Sequence, residues 1–342
     1  MSCPKVRFYS NCSDQPCCVQ EALSRYSLVI SFTVFHMVIV ALQSLRLQSD
    51  ELPQQSNKRK GGESMNECTI GDPLWSARLL HTNPQAIGDA HYSFLLSGAD
   101  VITTATYQAS VTGFVTHMDV SAERARELLS SGVQLAQESV KRFVSDTHPT
   151  EQRRPLVAGS VGPYGAFLHD GSEYTGAYAE EMSIEELKVW HRSQIDCLAA
   201  AGADLIAIET IPSVKEAEAL VELLREFPNS KAWLSFSCKD GRCISDGSLF
   251  ADAVQIANRS TQLVAVGVNC CSPAFVEPLL DSARSLLSPD MSWVVYPNSG
   301  EEWDAEQGWL LPYRPRSRYR VTTTVKRKWN LCSLRSVTVA QL

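Results

Sequence analysis

From residue 72 to residue 298 the chain repeats one theme. A stretch with apolar residues at helical spacing is followed by a short, nearly unbroken apolar run. Helices are predicted over 72–80, 84–97, 121–144, 183–201, 213–227, 248–258 and 273–287, and strands over 99–107, 155–161, 203–209, 231–238, 263–270 and 293–297. Local chemistry punctuates the pattern. Asp72-Pro73 opens the first helix as N-cap and first-turn proline. Ser183 and Glu186 have the spacing of a capping box, and Gly98 and Gly202 stand where a left-handed residue ends a helix. Most of the strands are apolar on both faces, as buried parallel strands are.

Six strands alternating with helices predict a parallel sheet with right-handed crossovers. A doubly wound sheet and a barrel both satisfy that order. Thr104, Gly162, Glu209, Ser237, Asn269 and Asn298 all fall at or just past C-terminal strand ends. Polar residues at successive strand ends favour a barrel, whose rim converges on one site. An open sheet would gather them at its switch point.

The flanks differ in texture. Residues 28–42, LVISFTVFHMVIVAL, carry no formal charge. As a helix they would reach roughly 22 Å, short of the ~30 Å hydrocarbon core. A polar stretch with the basic run Lys58-Arg59-Lys60 follows. The expected organisation is an N-terminal extension over 1–70, a barrel domain over 71–312 and a basic tail over 313–342. That tail holds eight Arg or Lys and no Asp or Glu, leaving −15 on the rest of a chain whose net charge is −7. Such a balance gives no reason to expect nucleic acid as a partner, and no stable membrane association is expected. The 11 cysteines have no regular spacing, which reads as a reduced, cytoplasmic protein rather than a disulfide framework.

Candidate chemistry gathers at the strand ends. Cys270, after the run 263–269, would stand at the mouth of a buried strand. Cys271, next along, should point to the other side. A lone buried cysteine is as readily a small hydrophobe. Glu209 could hold a substrate ammonium group or cap the helix that follows. Thr103, Thr104 and Thr106 are equally consistent with ordinary strand composition. The glycines of Gly159-Ser-Val-Gly-Pro-Tyr-Gly165 permit a tight turn or a close approach, without the lysine of a phosphate loop.

Six segments together resemble the zinc-dependent homocysteine S-methyltransferase family. They are Asp72-Pro-Leu-Trp-Ser76, Ala99-Asp-Val-Ile-Thr-Thr-Ala-Thr-Tyr-Gln-Ala-Ser110, Gly159 to Gly165, Ile208-Glu-Thr-Ile-Pro212, Gly267-Val-Asn-Cys270 and Tyr296-Pro-Asn-Ser-Gly-Glu301. The Tyr-Gln-Ala and Tyr-Pro-Asn forms look most like the branch that uses S-methylmethionine or S-adenosylmethionine, and less like the betaine branch. The resemblance implies a (β/α)8 TIM barrel that transfers a methyl group to homocysteine to give methionine. It implies Zn2+ held by three cysteine thiolates, with Cys270 matching the first, and Glu209, Thr104 and Asn269 binding substrate.

At both ends the sequence departs from the family pattern. The first strand with its Asp-Gly-Gly and the eighth with its Gly-Gly-Cys-Cys are not recognisable, so an incomplete barrel is expected. Cys332 is the only cysteine of the tail. Cys238 or Cys243 beside Cys270 is a conceivable substitute for the missing ligands. The alternative reading is a catalytically inactive barrel with a binding or regulatory role.

Overall fold

The computed structural model describes residues 72–148 and 154–298, and the backbone of 302–304, 308–310 and 339–340. The apolar segment 28–42, the basic run at 58–60 and Cys332 lie outside the described residues. In chain order the helices are α1 (Leu79–Thr82), α2 (Pro84–Leu96), α3 (Val111–Met118), α4 (Ala122–Thr147), α5 (Tyr164–Leu168), α6 (Tyr178–Glu181), α7 (Ile184–Ala200), α8 (Val214–Leu223), α9 (Phe250–Ala257) and α10 (Pro273–Ala283). The strands are β1 (Val101–Thr103), β2 (Leu156–Val161), β3 (Leu205–Ile211), β4 (Ala232–Phe236), β5 (Leu263–Asn269), β6 (Ser292–Tyr296), β7 (Glu302–Asp304), β8 (Gly308–Leu310) and β9 (Val339–Ala340). None of the described helices is long and apolar enough to cross a membrane.

Strands β1 to β6 lie side by side in chain order, all parallel, and β9 adds to the free side of β1. This unbroken order is that of an α/β barrel wall; a doubly wound sheet would reverse partway. The curled sheet separates two cores. On its outer face Ile102, Val157, Ile206, Ile208, Leu234, Val266 and Val295 pack against the helices. On its inner face Val101, Ala158, Leu205, Ala207, Trp233, Ala265 and Val294 form a smaller apolar layer. Period-two alternation then puts Ser160, Glu209, Ser235, Asn269 and Tyr296 on that same inner face, nearer the C-terminal ends. The interior is therefore apolar at its base and polar at its mouth.

The capping chemistry takes the form its residues dictate except at the start, where Asp72 accepts from Leu74 N and a 3-10 turn Trp75–Arg78, not an Asp72-capped helix, precedes α1. Ser183 and Glu186 make the reciprocal capping box of α7, Ser121 accepts from Arg124 N at the start of α4, and Gly98 and Gly202 have φ of 94° and 83°. Three differences from the sequence pattern have local causes. The strand expected over 99–107 ends at Thr103, because Thr104 and Thr106 hydrogen-bond each other and the backbone of Ser160, which turns the chain. Helix α3, not foreseen, is capped by the Ser110 side chain accepting from Gly113 N. That start carries no acidic capping-box residue to announce it. The tail, for which no element was predicted, supplies β9, whose two residues are too few to show any period.

Candidate functional site

The rim is built where β2, β3, β4, β5 and β6 end. Glu209, at the inner face of β3, is completely buried. Ser160 Oγ on β2 donates a short hydrogen bond to its Oε1, and Tyr296 OH on β6 donates to its Oε2 at 2.8 Å. Tyr296 OH in turn accepts from Trp233 Nε1 at 3.1 Å and bonds Ser235 Oγ at 2.8 Å. Residues of β2, β4 and β6 thus fix one carboxylate on β3. Burial and the Glu209 charge push the Tyr296 hydroxyl far above the usual tyrosine range, so it remains a donor. Ser213 caps α8, which removes the helix-capping alternative for Glu209.

Beside it, Asn269 ties β5 to β3. Its Oδ1 accepts from Thr210 N at 2.8 Å, and its Nδ2 donates to Thr210 Oγ1 at 2.7 Å and to Cys270 Sγ at 3.2 Å. Thr210 and Cys270 both occupy the left-handed region, with φ of 64° and 46°. A β-branched residue there is strained, and such strain persists where surrounding bonds over-determine it. Here the Asn269 amide supplies those bonds. The two turned residues bring Thr210 Oγ1 to 3.7 Å from Cys270 Sγ. Burial, then the Glu209 carboxylate, push the Cys270 thiol up to about 12, while the Thr210 and Asn269 hydrogen bonds pull it down. The sulfur sits where added positive charge would be welcome.

The structure brings Glu209, Asn269 and Cys270 together. Thr104 lies one layer behind, buried, accepting from Ser160 N at 3.0 Å and bonding Thr106 Oγ1 at 2.6 Å. Cys271 points away, as its place in the strand implies, into the outer core that also holds Cys238. Among the described residues no three His, Cys, Asp or Glu side chains gather to hold a metal ion. The described residues alone therefore do not fit a complete zinc centre; Cys270 would be one donor of such a set.

Sequence reasoning gave no site role to Tyr296, Ser160, Thr210, Tyr107 or Glu173, although Tyr107 and Tyr296 stand in the family motifs. The signal for the first two was the inner-face register shared with Glu209. Tyr107 comes from a loop and Glu173 from the short 3-10 helix Ser172–Tyr174, and glycines place them. A Cβ on Gly162 would lie 2.6 Å from Tyr107 O, and one on Gly165 would lie 2.6 Å from Glu173 N. These glycines admit the protein's own backbone, which explains the motif without a phosphate.

A singly wound parallel sheet with a carboxylate and a thiol at its mouth defines an α/β-barrel enzyme. The family model for homocysteine S-methyltransferase matches residues 60–324. A Drosophila melanogaster protein named betaine-homocysteine S-methyltransferase is 45% identical over 72% of this chain and 77% of its own length. Homocysteine S-methyltransferase 1 of Zea mays is 43% identical, over 71% and 76%. The oxidized form of the homocysteine methyltransferase MmuM from Escherichia coli superposes with a TM-score of 0.71 at 29% identity, covering 96% of this chain and 94% of that one. Its metallated form superposes with a TM-score of 0.70. The chain belongs to the homocysteine S-methyltransferase family.

Proposed function

We propose that this site moves a methyl group from S-methylmethionine or S-adenosylmethionine to the sulfur of homocysteine, giving methionine. One observation carries the assignment of roles: a fully buried carboxylate, held by Ser160 and Tyr296, shares a strand mouth with Cys270. In this proposal Glu209 accepts a charge-assisted hydrogen bond from the homocysteine ammonium. Asn269 holds the Thr210 and Cys270 turns, and Thr104 sets the floor through Ser160. The homocysteine sulfur, as thiolate, attacks the methyl carbon. A sulfur–carbon bond forms while the carbon–sulfonium bond breaks, and its electron pair returns to the donor sulfur. The negative charge of the thiolate and the positive charge of the sulfonium cancel.

The choice of a sulfonium over betaine rests on the Tyr107-Gln108-Ala109 and Tyr296-Pro297-Asn298 forms. Zn2+ is the metal we propose, with Cys270 as a ligand. The described residues offer no full ligand set, so no step is drawn through it. A cytoplasmic location is proposed from the cysteine usage, and the five described cysteines are free thiols.

The test is methionine production by the full chain from homocysteine with each sulfonium and with betaine, alongside zinc per chain on reduced protein. About one zinc, lost in Cys270→Ser, and a homocysteine KM raised about 10- to 100-fold in Glu209→Gln would support these roles. No methionine from any donor would favour the inactive, binding-only reading.

A further inference from the structure

We propose that Glu173 is the residue that recognises the methyl donor: its carboxylate, beside Tyr107 and Tyr174, receives the positively charged centre that carries the methyl group. This deepens the transfer proposed above and rests on it.

Glu173 Oε2 is buried and has no hydrogen-bond partner among the described residues. A carboxylate oxygen left that way costs free energy, and a retained one calls for a ligand to complete it. The residue does not sit there loosely. Its backbone carbonyl accepts from Ser237 Oγ at 3.0 Å at the end of β4, and its backbone N–H packs against Gly165. Its surroundings are those of the reacting sulfur. The Tyr107 hydroxyl is raised by burial first, then by Tyr174, Cys270 and Glu173, and Tyr174 likewise feels both Cys270 and Glu173. The geometric link runs through Ser237, whose Oγ bonds the Glu173 carbonyl and reaches Thr210 O at 3.4 Å, while Thr210 Oγ1 lies 3.7 Å from Cys270 Sγ. Lys215, on α8, is engaged with the carbonyls of Ala179, Glu180 and Met182. Among the described residues no Lys, Arg or His forms an ion pair with Glu173.

A cation bordered by a carboxylate and tyrosine rings gains both charge pairing and ring-quadrupole attraction. The pairing has a kinetic signature. Transfer destroys the donor's positive charge, so Glu173 holds the donor more tightly than the transition state or the neutral thioether product. Its removal weakens donor binding without slowing the chemical step. Glu209, already bonded to Ser160 and Tyr296, serves the other substrate.

The variant is Glu173→Gln, which keeps shape and removes charge. Expected are a donor KM raised about 10- to 100-fold, an unchanged or higher kcat, and an unchanged homocysteine KM. An unchanged donor KM, or a fall in kcat with KM constant, overturns the proposal while leaving methyl transfer standing. Calorimetry separates the two ideas further. The wild-type chain should bind S-methylmethionine at least tenfold more tightly than methionine, and Glu173→Gln should lose that preference. That result in a chain that makes no methionine would support the cation site and reject the transfer. Equal binding of S-methylmethionine and methionine by the wild type overturns the proposal even if the variant fails to fold.

Discussion

Replacing Tyr296 by Phe removes one oxygen from the centre of the rim and leaves the ring volume in place. That oxygen serves three buried partners: Trp233 Nε1 at 3.1 Å, Ser235 Oγ at 2.8 Å and Glu209 Oε2 at 2.8 Å. The indole N–H would lose its acceptor, at a cost of about 1–3 kcal/mol, and the carboxylate would lose a donor worth about 1.5–3 kcal/mol. The serine hydroxyl can rotate and Glu209 keeps Ser160, so the combined loss should lie near the lower half of that range, about 3 kcal/mol. For a domain of this size that lowers Tm by roughly 6–12 °C. The assay is thermal unfolding followed by circular dichroism at pH 7, with the homocysteine KM measured on the same preparations. The KM should rise, because Glu209 is no longer held from β6. A Tm loss under about 2 °C would refute the network, since a tyrosine oxygen with three buried partners cannot be removed so cheaply.

Two further outcomes follow from the packing. In Gly267→Ala the new Cβ would lie 1.7 Å from Val294 O and 2.7 Å from Val294 C on the neighbouring strand. Backbone cannot swing aside as a side chain can, so a loss above about 3 kcal/mol in urea unfolding is expected, and wild-type stability would disprove the register. His91 is fully buried, neither ring nitrogen has a partner among the described residues, and burial pushes it down to about 3 from an ordinary 6.5. The unfolded chain takes up this proton below pH 6.5 and the folded chain does not. The stability it contributes is thus complete above pH 6.5 and is lost as pH falls toward 3. Between pH 7 and 5.5 the wild type should lose about 1 kcal/mol more than His91→Leu; equal pH slopes would show that His91 is protonated in place.

The order of elements and the location of the mouth follow from local physics. Apolar runs such as 263–269 cannot rest in water on either face, and Ser183, Gly98 and Gly202 announce ends of α2 and α7. These signals are short-range, so they are present in the chain before it folds, and they put Glu209, Asn269 and Cys270 at strand ends. The family motifs lie on the same segments for the same reason. What they could not give is which groups meet.

Whether Glu209 faces a ligand or a helix end depends on Ser160 and Tyr296 arriving from strands 49 and 87 residues away. Thr104 reads as a rim residue in one dimension, yet the turn at Thr106 sets it a layer back. Tyr107 lies in a loop and Glu173 in a single 3-10 turn, neither with a period to read, and the close approaches allowed by Gly162 and Gly165 place their backbones. The chain's local preferences set the strands and their order. The long-range hydrogen bonds between strand ends, each possible only once the sheet has curled, set the chemistry.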